Sequence, residues 1–418
     1  MRIALLGVDE ATLAVATAAA RDGHDEIVMI DASAARAAEA KSIARSARMI
    51  ADWENALDTN SVDAVVVAAN QPSGDQPDLR IEQLRRLIQT GIPTLVSHPI
   101  NLSMLECYEL EMIREESRSI VLPYLPARWH PVATEMHSLV EQGKSSAMGG
   151  IEQVVFERFL PQRNREGVLR QFAIDADLMQ FVAGDATKMH ALGSGTGTSV
   201  GPYANLTVQM TCEQELVCRW CVSPVEDQPG GRLTLVGSQG KSVLWMPEDH
   251  SPWRLEIRTL PNATVKDYVD WDPASTALAK LAAAREGEPV DPTWAEAART
   301  VELAETIDRS LARGRTIDLH REEFTDIGTF KGTMTSIGCG LLVAGLVLVV
   351  LVAMLHLLAV QAGWVQLANL LDRWPYLLLL VCGIYLLLQP LAFIGKSERK
   401  TTAPPSNQSS SQGPDGES

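Results

Sequence analysis

Four apolar runs without polar interruption mark the first third of the chain: residues 2–6, 26–30 (EIVMI), 63–69 (DAVVVAA) and 94–97. Continuous rather than alternating apolarity predicts strands of a parallel sheet covered on both faces. Alanine-rich or helix-periodic stretches separate them, at 10–22, 33–45, 78–90 and 103–117. Strand and helix in alternation predict right-handed crossovers and a doubly wound sheet. From about residue 150 the pattern changes. "IEQVVFERF", "NLTVQMTCEQELVCRWCV", "GRLTLVGSQGKSVLWM" and "PWRLEIRTL" predict longer antiparallel strands, with a helical segment at 173–183 and a closing helix from Trp294 to Arg313. The expected fold is α/β: a doubly wound domain over residues 1–122, then an α+β domain with a mostly antiparallel sheet over 123–320.

The C-terminal pattern is of another kind. Ile337 to Val360 is 24 residues without Asp, Glu, Lys or Arg, and Pro375 to Gly395 is 21 more. A hydrocarbon core of ~30 Å needs about 20 apolar residues, so both are long enough to span. They predict a linker over 321–336, a two-helix transmembrane hairpin over 337–395 with lipid as its partner, and a polar, Ser- and Pro-rich disordered tail over 396–418. Arg309, Arg313, Arg315, Arg321 and Lys331 precede the first span and Lys396, Arg399 and Lys400 follow the second, whereas the connection carries Arg373 alone. The positive-inside rule places the body and the tail in the cytoplasm.

Charge and cysteine content narrow the function. Net charge is −16 over 418 residues, against nucleic acid as a partner, since phosphate binding needs a basic surface. Six scattered cysteines do not make a disulfide framework. Cys218 and Cys221 form a C-x-x-C within a strand-like run, without a second pair at zinc-like spacing, so burial is the expectation and metal is not. No Walker loop, Gly-x-Ser-x-Gly or His-Glu-x-x-His occurs. The glycine-rich "GSGTGTSVGPYAN", 193–205, reads as a loop over a cleft.

Chemistry concentrates in "LLGVDEATLAVA", residues 5–16. A strand, a glycine and a helix in this order begin a dinucleotide fingerprint, G-x-G-x-x-G, in which the second glycine lets backbone approach a pyrophosphate. Only Gly7 is present; Asp9 and Thr12 take the other two places. Asp9 suits the helix N-cap, and Asp9 and Glu10 suit its positive end. Toward a pyrophosphate they are repulsive, on the order of 4 kcal/mol per charge pair at ~4 Å near a protein surface. Asp31 follows the second strand, 19 residues past Thr12, where an acid would meet an adenosine ribose or simply cap the next helix.

Six phrases in order carry a resemblance to a known family. "SVDAVVVAANQP" is similar to its fourth strand and "GIPTLVSHPI" to its fifth strand and Glu-Lys-Pro motif. "LPARWHPVATEMHSLVEQG" with "GGIEQVVFERF" resembles its crossover, and "DADLMQFVAGDATKMHA" the helix bearing its catalytic carboxylate and histidine. "RLTLVGSQGKSVL" and "ETIDRSLARGRTIDL" resemble its late strand and closing segment. Residues 1 to about 320 resemble the Gfo/Idh/MocA oxidoreductases. The resemblance implies a Rossmann-type first domain and NAD or NADP as cofactor, with contacts at Gly7, Asp31, Asn70 and Pro99. It also implies a sugar or polyol-type substrate and a homo-oligomer formed through the second-domain sheet. Its catalytic positions fall on His98, which replaces the motif lysine, and on Asp177. The family's catalytic histidine becomes Ile174 and its first aspartate Arg170. Arg128 and His130 are expected at the substrate, Arg128 as an anion holder. Two functions follow: a membrane-anchored NAD(P)-dependent oxidoreductase acting on CH–OH groups, or a non-catalytic member of the same fold that senses a small molecule or scaffolds partners at the membrane.

Overall fold

Two sheets organise the N-terminal body in the computed structural model. The residues described are 2–23, 26–30, 48–50, 62–69, 80–194, 201–225, 228–249, 251–319, 351–358 and 360–364. The chain divides into two compact units, Met1–Arg321 and Glu322–Ser418. The first sheet is wholly parallel, with strands β1 (Arg2–Leu6), β2 (Glu26–Ile30), β3 (Arg48–Ile50), β4 (Ala64–Val67), β5 (Thr94–Ser97) and β6 (Val121–Tyr124). Their spatial order is 3-2-1-4-5-6. In a sheet wound this way the order reverses between β1 and β4, and the crevice beyond their carboxyl ends is where ligands bind. The four uninterrupted runs are indeed four of these strands; β3 and β6 were too short and too mixed to announce themselves.

Helices α1 (Glu10–Arg21), α2 (Arg80–Thr90) and α3 (Met104–Ser117) cover the sheet. Side chains alternate between two cores because successive strand residues face opposite ways. Ile3, Leu5, Ala64 and Val66 pack with Leu13, Val15 and Ala19 of α1; Ala4, Leu6, Val65 and Val67 pack with Leu84, Leu87 and Ile88 of α2. The predicted helix at 33–45 lies outside the described residues.

Residues Pro126–Trp129 (α4) and Pro131–Glu141 (α5) lead into the second sheet. It comprises β7 (Ile151–Phe159), β8 (Ala186–Leu192), β9 (Thr207–Cys212), β10 (Val217–Ser223), β11 (Gly230–Gly237), β12 (Gly240–Pro247), β13 (Trp253–Thr259), β14 (Ala263–Tyr268) and β15 (Ile317–Asp318). The order is 14-13-12-11-7-10-9-8-15, and every pairing is antiparallel except β7 with β10. Two of the long predicted strands are hairpins. "NLTVQMTCEQELVCRWCV" turns at Glu213–Glu215, where Glu215 has φ +60°, and "GRLTLVGSQGKSVLWM" turns at Ser238 and Gln239. Helix α6 runs from Arg165 to Ala183 and starts eight residues before the predicted segment, because the Asn164 side chain accepts the Gly167 N–H and caps it there. Phe172 of α6 meets Trp220 of β10 edge to face at 5.2 Å in this core.

Two late helices return to the first domain. In α7 (Pro273–Arg285), Ala274, Ala277, Leu278 and Leu281 join the core beneath α1. In α8 (Trp294–Arg313), Trp294 packs beneath the first sheet and Leu303, Ala304 and Ile307 pack beneath the second. One twenty-residue helix therefore serves both cores and fixes the walls of the crevice between them.

In the second unit, residues 351–358 are helical and expose Leu351, Met354, Leu357 and Leu358. Among the described residues no helix is long and apolar enough to cross a membrane. Most of both expected spans, and the tail, lie outside the described residues.

Candidate functional site

The glycine turn sits at the carboxyl end of β1. Gly7 has φ +74°, a backbone conformation that side chains disfavour, and a Cβ placed on it would stand 2.5 Å from Arg80 Nη2 and 3.1 Å from the Ala68 Cβ. Only glycine fits there. Asp9 then caps α1: its Oδ1 accepts the Thr12 N–H at 2.8 Å, and Thr12 Oγ1 accepts the Asp9 N–H at 2.9 Å. The second carboxylate oxygen accepts the Ala69 N–H, beyond β4, at 2.8 Å. Asp9 is buried, and its carboxylate uses N–H donors that an approaching phosphate would need.

His98 and Pro99 follow β5. His98 is buried, and its Nε2 lies 2.8 Å from Thr300 Oγ1 on α8. With the Thr300 hydroxyl proton on the Ala297 carbonyl, 2.9 Å away, Nε2 is the donor to Thr300. Burial, reinforced by the Arg170 charge, pulls the imidazole down to about 3, so it is neutral at physiological pH. Arg170 of α6 donates through Nη1 to the Pro99 carbonyl at 2.8 Å. Burial lowers this guanidinium, while Glu166 and Asp9 act in the opposite direction.

Arg128 and Asp177 lie together on the second-domain side. Arg128 Nη1 donates to Asp177 Oδ1 at 3.2 Å, and Nη2 contacts Glu296 Oε1 at 2.5 Å and Asp291 Oδ1 at 3.2 Å. Three carboxylates already neutralise the guanidinium, which leaves little charge for an anionic ligand. Burial pushes the Asp177 carboxyl up to about 7 against the pull of Arg128. His130 is an N-cap: its Nδ1 accepts the Val132 N–H at 3.1 Å. Its ring stacks on Trp253 at 4.3 Å and meets Tyr268 and Trp271 edge-on, and burial lowers it to about 4. Both residues take part in structural networks. Asp31 and Asn70 lie outside the described residues.

A pocket of about 200 Å³ opens beside α6, lined by Ile174, Asp175, Phe156, Arg158, Glu248, Trp253 and Trp271 among others. Asp175 accepts from both Arg158 Nε (2.9 Å) and Nη2, from Trp220 Nε1 at 2.9 Å and from Gln171 Nε2 at 3.0 Å. Sequence reading passed over this pair. Its signal was legible, because Val154, Phe156 and Arg158 alternate onto the buried face of β7, and a charge on a core-facing strand position requires a partner.

The C-x-x-C reads differently in space. Cys218 is fully buried and Cys221 half-buried, since positions three apart on a strand face opposite sides. The neighbour of Cys218 is Cys212 across the hairpin, sulfur to sulfur 3.1 Å. Among the described residues no group of three His, Cys, Asp or Glu side chains could hold a metal ion.

Solved oxidoreductases share this fold. An oxidoreductase from Agrobacterium radiobacter, in complex with NAD+, L-tartaric acid and magnesium, matches with a TM-score of 0.62 at 15% identity, over 76% of this chain and 98% of its own. A myo-inositol dehydrogenase from Corynebacterium glutamicum matches at 0.59 and 20% identity, over 77% and 99%. An aldose-aldose oxidoreductase from Caulobacter crescentus, complexed with glycerol, matches at 0.62 and 13%, over 76% and 99%. No protein-family model and no curated protein matches the chain. The class defined is therefore one of fold: a doubly wound parallel domain joined to a mostly antiparallel sheet, matched by these oxidoreductases.

Proposed function

We propose that this chain is a Gfo/Idh/MocA-type oxidoreductase, NAD(P)-dependent, acting on a CH–OH group of a sugar or polyol-type substrate and anchored to the membrane by its C-terminal hairpin. The observation that carries the reading is placement: Gly7 follows β1 at the switch point of the 3-2-1-4-5-6 sheet, and His98 and Pro99 follow β5 at the same carboxyl edge, where Arg170 holds the Pro99 carbonyl. Neighbours of the same fold are oxidoreductases, one of them a myo-inositol dehydrogenase and another in complex with NAD+. The Arg80 guanidinium lies against Gly7 beside the acidic turn, which offsets part of the repulsion Asp9 would exert on a pyrophosphate. A bound nicotinamide would supply the hydride acceptor. His98, neutral with its Nε2–H given to Thr300, would offer Nδ1 as the hydrogen-bond acceptor for the substrate's hydroxyl. Exposed leucines on the 351–358 helix, within the first uncharged run, support the anchor.

In this conformation Asp9 holds the Thr12 and Ala69 N–H groups that a pyrophosphate at the first turn of α1 would use. That observation favours a second reading: a non-catalytic relative that binds a small molecule or scaffolds partners at the cytoplasmic membrane face. Ile174 supports it, because an alkyl side chain can neither give nor take a proton. The test is NAD(P)H-linked turnover of the full chain in detergent on a polyol panel. Turnover abolished by His98→Ala supports the enzyme; its absence on every polyol supports the second reading.

A further inference from the structure

The pocket beside Ile174 has a charge and surface chemistry that the fold alone does not dictate. Its walls are largely apolar and aromatic, with Phe156, Trp253 and Trp271 the largest faces. Its polar end holds one cation and two carboxylates. Arg158 is committed to Asp175 through two hydrogen bonds and reaches Glu248 only through Nη1, at 3.4 Å. Arg158, Asp175 and Glu248 together leave one negative charge in excess. Glu248 is 44% exposed in its side chain, unlike Asp175, so its carboxylate is open to an incoming group. Burial raises Glu248; Arg158 pulls it back, and the charges of Asp175 and Glu10 push it further up. The Trp271 indole N–H is buried without a hydrogen-bond partner among the described residues, an orphan donor on the same wall.

We propose that this pocket binds a small organic cation that also carries hydroxyl oxygens, an amino sugar or amino alcohol, with its ammonium at Glu248, its ring or chain against Trp253 and Trp271, and an oxygen accepting the Trp271 N–H. Aromatic faces with a carboxylate form the combination that selects ammonium groups, through cation–π attraction and a charge-assisted hydrogen bond. An anionic ligand meets an excess carboxylate and no uncommitted guanidinium. A neutral polyol leaves Glu248 with only its long contact to Arg158. A cavity of ~150 Å³ takes up a benzene ring, so about 200 Å³ has room for one six-membered ring. The inference rests on the oxidoreductase reading only for calling this ligand a substrate.

The test is a charge series on one scaffold. D-glucosamine, D-glucose and D-glucuronate are titrated calorimetrically into the full chain in detergent at neutral pH, where Glu248 is more fully ionised than in acid and the amine still carries most of its protons. Glucosamine binding roughly tenfold or more tighter than glucose, with glucuronate weakest, is the expected result. Glu248→Gln should erase the advantage of glucosamine and leave glucose unchanged. Trp271→Phe, which keeps a ring and removes the N–H, should weaken glucosamine and glucose alike. Glucose or glucuronate binding as tightly as glucosamine, no binding of any of the three, or a glucosamine preference that survives Glu248→Gln would each overturn the proposal. The wild-type series decides the matter even where a variant does not fold. NADH titrated into the same preparation reports the oxidoreductase reading separately: loss of NADH binding with the series intact removes the word substrate and leaves the ligand class standing.

Discussion

Asp9 Oδ2 and the backbone N–H of Ala69 lie 2.8 Å apart, so the cap of α1 is tied to the segment that follows β4. The other oxygen of the same carboxylate holds the Thr12 N–H. One side chain therefore performs two tasks that a glycine turn leaves to an incoming anion. It satisfies the first turn of the helix, and it draws together the two sides of the switch point.

That double role predicts a cost of removal. Loss of an N-cap carboxylate costs about 1 kcal/mol, and a stranded buried donor about 1–3 kcal/mol more. Asp9→Ala should lower the thermal midpoint of the full chain, and Asp9→Asn, which keeps an acceptor oxygen, should lower it less. Equal midpoints for wild type and Asp9→Ala would mean that neither hydrogen bond matters.

The Arg158–Asp175 pair predicts a larger and conditional effect. Asp175→Ala strands a buried guanidinium and should destabilise by about 3–5 kcal/mol, read from denaturant midpoints. The double variant Arg158→Met with Asp175→Leu removes both charges and should recover most of that loss. A double variant no more stable than Asp175→Ala would argue against the pair as the cause.

Much of this was legible in the residues. Uninterrupted apolar runs gave β1, β2, β4 and β5, and Asp9 after the glycine turn read as the N-cap of α1, while its reciprocal bond with Thr12 emerged only in the structure. Tertiary context withheld the rest. Nothing local in "PASTALAKLAAAR" says that α7 leaves the second domain to pack beneath α1. Arg128 reads as a free cation until Asp177, Asp291 and Glu296, up to 168 residues away, are folded against it. His130 reads as a site residue until three aromatic rings and the Val132 N–H are seen to surround it. Cys218 is paired by its sequence with Cys221 and by the β9–β10 hairpin with Cys212.

Asp177 predicts a pH dependence whose sign can be worked out. Its folded pKa, raised by burial to about 7, exceeds the unfolded value of about 3.8. Between those values the folded state binds the extra proton, so the stability from this group falls as pH rises from about 4 to about 7 and is level above that. Compared with Asp177→Asn, the wild type should lose a few kcal/mol across this window, on the order of 1.4 kcal/mol for each pH unit crossed. The check is the difference in thermal midpoint between the two proteins from pH 4 to pH 8. A difference that does not change with pH would exclude a carboxyl raised by burial.

The cysteines should be poor nucleophiles. Burial raises Cys107 to about 12, and the hydrogen bond to Cys212 followed by burial raises Cys218, so neither is a thiolate at neutral pH. Iodoacetamide should modify them in the folded chain far more slowly than in denaturant. Rapid labelling of the native protein, located by peptide mass, would contradict their placement.

The most direct test returns to the turn. NADH is titrated calorimetrically into the full chain in detergent, wild type and Asp9→Gly side by side. If the Asp9 carboxylate stands where a pyrophosphate would bind, the glycine variant gains affinity, by roughly tenfold and by up to about three decades if the full charge repulsion is relieved. Wild-type binding in the low micromolar range (about 8 kcal/mol), unchanged or weakened by Asp9→Gly, would show that the dinucleotide takes another path into the crevice and would contradict the account.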